Sequence, residues 1–109
     1  MKSILSEIIP GGEIAYNTDI VGVSLPSSSS DNFELELSVW PDLWNFQGPK
    51  SIVLISVSGA RLVEEISEEE INGYEMRNIY IDREMKRLDI YITLRIIKLS
   101  YKGYSIRKL

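Results

Sequence analysis

The chain contains neither cysteine nor histidine in its 109 residues. The missing cysteines exclude disulfides and thiolate metal sites, and they fit a reducing compartment. The missing histidines remove the usual general base at neutral pH and the commonest transition-metal ligand. Serine–histidine–aspartate and cysteine–histidine catalysis are therefore excluded, as is histidine-bound zinc. Only carboxylate-based catalysis or a lysine nucleophile is left, and no constellation specifies either, so the chain reads as a non-enzyme. Long apolar runs are also missing. None approaches the roughly 18 residues that a membrane-spanning helix needs. Glu7 interrupts the short apolar run of MKSILSEIIPGG and no small-residue cleavage site follows, which disfavours a secretory signal and favours the cytosol.

What is present suits one folded domain over residues 1–109. The composition is 44% hydrophobic and 26% charged, close to globular averages. The net charge of −4 is unevenly spread: residues 1–75 carry 13 acids and 3 bases (net −10), whereas residues 76–109 carry 3 acids and 9 bases (net +6). Either the two segments lie side by side and neutralise each other, or the acidic one is left to attract a basic partner.

Residues 2–9, KSILSEII, place Ile4, Leu5, Ile8 and Ile9 on one helical stripe, and Pro10-Gly11-Gly12 would stop that helix. From residue 18 the period becomes two. Val21, Val23 and Leu25 share a face; PSSSSDN makes a loop; in NFELELSVW the residues Phe33, Leu35, Leu37 and Val39 face in. The two runs read as a long-looped hairpin. SIVLISVSG is apolar on both faces over Ile52–Ile55, as a covered central strand would be. RNIYID and LDIYITLRII follow, joined by REMKR. The alternation slips at Ile96-Ile97, and Tyr101-Lys102-Gly103-Tyr104 reads as a tight turn returning a last strand, SIRKL.

The densest feature is VEEISEEEINGYE at 63–75, with six glutamates. Ser67 and Glu70 have the spacing of a capping box, Ile66 and Ile71 that of a hydrophobic staple, and Gly73 suits a helix end. Glutamates in a first turn are favoured by the helix dipole. A short helix near 67–73 explains most of the segment. Calcium would require alternating Asp/Asn ligands around a glycine, a spacing absent here, so neither a metal nor another cofactor is expected. Glu64, Glu65, Glu68 and Glu69 exceed what a cap needs and would attract a cationic protein surface. Trp40 and Trp44, with Asp42, form a loop whose aromatics could be either a binding hot spot or peripheral core. Bases and tyrosines interleave from Tyr91 to Lys108, but no aromatic–glycine RNA motif accompanies them, and the acidic whole disfavours nucleic acid.

In order, IIPGG closing the first element, NTDIVGVSL, FELELSV and the glycine-ended SIVLISVSGARL resemble small β-rich immunity proteins of bacterial polymorphic-toxin and contact-dependent inhibition systems. The resemblance spans residues 4–63 and is strongest at 17–25 and 52–63. Thr18-Asp19 stands where that group commonly has His-Asp, and Val57 where it has an aromatic. The resemblance implies binding and neutralisation of a cognate toxin, often a nuclease.

The expectation is thus an α+β domain. It has a mainly antiparallel sheet of about six strands, a short N-terminal helix and a short helix near 67–73. The expected function is occlusion of a toxin domain by Glu64, Glu65, Glu68, Glu69, Asp42, Trp40 and Trp44. The alternative is a small assembly protein acting by homo-oligomerisation, with SIRKL and the aromatic loop at a symmetric interface.

Overall fold

The computed structural model describes residues 1–9, 18–39 and 50–109. It is built almost entirely of strands: β1 (Lys2–Ser3), β2 (Asp19–Ser24), β3 (Phe33–Val39), β4 (Ser51–Ser58), β5 (Arg61–Leu62), β6 (Met76–Asp82), β7 (Arg87–Ile92), β8 (Ile96–Ser100) and β9 (Gly103–Lys108). They form two antiparallel sheets, ordered β1-β6-β7-β8-β5 and β2-β3-β4-β9. The inner faces of both sheets meet in one core that includes Phe33, Leu35, Ile55, Ile79, Leu88 and Ile90.

The alternation of β3 explains its place. Phe33, Leu35, Leu37 and Val39 are buried while Glu36 is exposed, and the strand sits between β2 and β4. β2 is less regular. Ile20 is buried, but a register shift before Gly22 leaves Val21 exposed, so Val21 does not share a face with Val23 as its spacing predicts.

The sheets are joined on both flanks. On one, residues 53–62 and 99–108 pair in a single register: Val53 opposite Lys108, Ser58 opposite Gly103, Arg61 opposite Ser100. This two-stranded ribbon bends between the sheets at Gly59-Ala60 and Tyr101-Lys102, as strands do when they turn the corner of a closed sheet structure. On the other flank, the start of β2 meets the start of β6. Ile20 N–H donates to the Tyr74 carbonyl (2.8 Å) and Met76 N–H to that of Thr18 (2.9 Å).

The α+β expectation is therefore wrong: among the described residues the only helical elements are two 3-10 turns, Leu5–Glu7 and Glu68–Glu70. At the N-terminus, Lys2 and Ser3 pair with Ile81 and Tyr80, and Ile4 N–H donates to the Ile79 carbonyl. A two-turn helix gains few hydrogen bonds for its nucleation cost, whereas an edge strand gains bonds at once. One tight turn then suffices to bury Ile4, Leu5, Ile8 and Ile9.

Near residue 70 the staple and cap form as expected, with Ile66 and Ile71 buried and Gly73 at a φ of 86°. Helix growth stops because Gly73 N–H is taken by the Ile20 carbonyl (3.0 Å), across the seam that closes the sheets.

Two further readings fail. LDIYITLRII is two strands, broken where Ile92 N–H donates to the Arg95 carbonyl (3.0 Å), and Leu94 is exposed at that turn. Tyr101–Tyr104 does not reverse the chain; β9 continues into the second sheet and pairs with β4.

Candidate functional site: an acidic ridge beside an apolar groove

The segment after β5 lies over the β7–β8 turn, and Arg95 in that turn organises it. Its Nη1 donates to Glu70 Oε2 at 2.8 Å, and its Nη2 donates to the Glu65 carbonyl at 3.1 Å and lies 3.8 Å from Glu64 Oε2. Lys98, on the outer face of β8, reaches Glu64 Oε1 at 3.4 Å. The oppositely charged halves of the sequence thus do neutralise each other here, at Glu64 and Glu70. Each contact is solvent-exposed and screened, so their effect is to position rather than to stabilise.

The Glu70 carboxylate also accepts from Ser67, from its N–H at 3.1 Å and its hydroxyl at 3.2 Å. The Ser67 N–H, and after it the Arg95 guanidinium, hold the Glu70 carboxyl below its ordinary pKa. Glu70 is therefore the anchor of the turn.

Glu65, Glu68 and Glu69 differ. Their side chains are exposed and form no ion pair among the described residues. Next to them is an open groove of about 530 Å³, with Leu25, Pro26, Leu62 and Ile66 as apolar wall and Glu65, Ser67 and Glu70 as polar rim. Apolar contact area framed by unpaired charge is the composition of a protein-docking surface.

Of the residues singled out by sequence, Glu65 lines this groove, Glu68 and Glu69 follow Ser67 of its rim in the chain, and Glu64 pairs with Lys98 and Arg95 while staying exposed. Trp40, Asp42 and Trp44 lie outside the described residues. Asp19, the position shared with the immunity group, pairs with Lys50 at 3.1 Å. Sequence reasoning missed Arg95 and Lys98 as organisers of the ridge, although the opposed charge of the two halves was their signal. It also missed Leu25, Pro26 and Leu62 as groove wall, for which no local signal exists.

Among the described residues, no group of acids is arranged to hold a metal ion, and no helix is long and apolar enough to cross a membrane. Asp89 is buried on the outer face of β7, with Arg87 Nη2 at 3.9 Å from its Oδ1. Among the described residues neither that oxygen nor Arg87 Nε has a hydrogen-bond partner, and both are closed to solvent. No protein-family model, curated protein or solved structure matches the chain.

Proposed function

We propose that this protein works by binding, as an inhibitor that neutralises a cationic toxin domain in the manner of the immunity proteins its sequence resembles. The observation that carries the reading is the division of labour within one acidic segment. Glu70 and Glu64 are tied to Arg95 and Lys98, and the turn thus fixed presents Glu65, Glu68 and Glu69 unpaired beside an apolar groove.

The mechanism is occlusion without catalysis. Unpaired carboxylates steer a basic surface into encounter, and burial of a partner side chain in the groove slows its release. A nuclease cleft suits such a surface, because a site that binds phosphate is itself basic. Such an inhibitor acts in the cytosol, where a chain without cysteine is at home.

Assembly through homo-oligomerisation has one observation behind it, since β9 lies at the edge of its sheet. Arg107 and Lys108 on that strand oppose edge-to-edge pairing, so docking of a basic partner is the reading adopted.

The test is co-expression with the C-terminal domain encoded immediately upstream of this gene. That domain alone should arrest growth, this protein should restore it, and Glu65→Lys/Glu68→Lys/Glu69→Lys should lose protection while keeping its circular dichroism. A harmless neighbour, or full protection by the folded triple variant, overturns the proposal.

A further inference from the structure

The bend of the ribbon holds a second, differently charged cavity. It has a volume of about 300 Å³ and is lined by Asp31, Gly59, Arg61, Ser100, Tyr101 and Lys102. It shares no residue with the acidic groove.

Two cations, Arg61 and Lys102, line this one cavity. Lys50, Arg77, Arg87, Arg95 and Lys98 each have a carboxylate partner. Arg61 and Lys102 form no ion pair among the described residues, in a protein whose net charge is negative. Lys2, Arg83, Lys86, Arg107 and Lys108 likewise form no ion pair among the described residues, so what distinguishes Arg61 and Lys102 is that both line the same cavity.

The backbone holds both in place. Arg61 sits directly opposite Ser100 in the ribbon. Lys102 N–H donates to the Ser58 carbonyl at 2.9 Å, and the aliphatic stem of Lys102 lies across Gly59. A Cβ at Gly59 would stand 2.5 Å from Lys102 Cγ, so only glycine leaves room for that stem.

More positive charge stands behind the wall. Lys86 Nζ lies 5.6 Å from the centre of the Tyr101 ring. Arg83 Nη2 donates to the hydroxyl of Tyr104, which packs edge-on against Tyr101 at 6.1 Å. Of the acids nearby, Asp82 accepts the N–H groups of its own turn and Glu7 accepts the Tyr104 hydroxyl. Asp31 is exposed at the cavity rim and pairs with neither cation.

We infer that this cavity binds a phosphate group, with the Arg61 fork and the Lys102 ammonium as charge partners and the Ser100 hydroxyl as a neutral donor. A guanidinium paired with an ammonium suits a doubly charged tetrahedral oxyanion better than a singly charged planar one.

The probe is inorganic phosphate, titrated into the full chain at constant ionic strength and followed by amide chemical shifts. Saturable shifts are expected at Gly59, Ser100 and Lys102, with sodium acetate binding more weakly. Arg61→Gln with Lys102→Gln should weaken phosphate binding about tenfold or more. Removing the competing carboxylate by Asp31→Asn should tighten it about two- to fivefold. All three substitutions are at exposed or rim positions, and an unchanged spectrum away from the bend verifies the fold. Shifts that never saturate, acetate binding as tight as phosphate, or saturation undiminished in the folded double variant each overturn the inference.

Discussion

The bent ribbon of residues 53–62 and 99–108 and the acidic segment 63–75 that hangs from it follow opposite rules. The ribbon is held by backbone pairing in one register and by side chains such as Ile55, Val57 and Leu99, all almost wholly inaccessible. The segment is held by two buried isoleucines and a few exposed polar contacts around Glu70 and Arg95. Burial of apolar area scales with what is removed from water, whereas exposed ion pairs are screened and nearly cancel. Stability therefore resides in the ribbon, and the segment is free to carry charge that folding does not need.

Substitutions should separate the two regions by size of effect. The largest is expected in the ribbon: Ile55→Ala leaves a cavity in a fully enclosed site and should cost about 2–5 kcal/mol in urea unfolding. A loss under 1 kcal/mol would mean that the two sheets do not share one tight core. At the bend, Gly59→Ala should cost about 1–2 kcal/mol, because Gly59 has a φ of 59° that side chains with a Cβ disfavour. Adding Lys102→Gly to that variant removes the stem from Cβ outward, so recovery beyond the cost of Lys102→Gly alone measures the clash apart from the backbone strain.

The smallest effect belongs to the acidic segment and is read against pH. The Glu70 carboxyl is held below its ordinary pKa, chiefly by the Ser67 N–H and then by Arg95. Its contribution is therefore present above the unfolded carboxyl's pKa and is lost as pH falls through the folded value. Glu70→Gln should lower the urea midpoint slightly at pH 7, and the gap from the parent should narrow as pH falls below the unfolded carboxyl's pKa. A gap that does not narrow with falling pH would show that Glu70 acts through packing, and the contrast between the regions would blur.

Legibility in the sequence followed the same division. β3 was readable because period-two alternation is a local consequence of one buried and one exposed face. The Ser67–Glu70 contact, the buried pair Ile66 and Ile71, and the left-handed Gly73 were readable because every partner lies within a few residues. The turn at Thr93–Arg95 was not, since none of its residues is a glycine, proline, asparagine or aspartate. Lys102-Gly103 carried a turn signal, but a glycine permits a bend without specifying its angle. Whether the chain reversed or crossed to the other sheet depended on the free edge of β4, some fifty residues earlier in the chain.

The charge ridge was half legible. Its density was plain, but only the fold brought Arg95 and Lys98 beneath Glu70 and Glu64, sorting tied carboxylates from free ones.

By itself, the sequence determined that most of its alternating runs are strands and that histidine and thiol chemistry are absent. It also determined that its acids crowd at 64–70 and that a cap and staple shape that segment. Those properties follow from residue type and from contacts a few positions apart. The tertiary structure decided what remained. Two short segments with helical spacing became 3-10 turns because strand pairing claimed Ile4 and Gly73 first. The sheets closed around one core, the ridge gained a groove, and two unpaired cations met at a corner. Each of these results depends on residues far apart in the chain competing for the same hydrogen bonds and the same buried space, which no local pattern records.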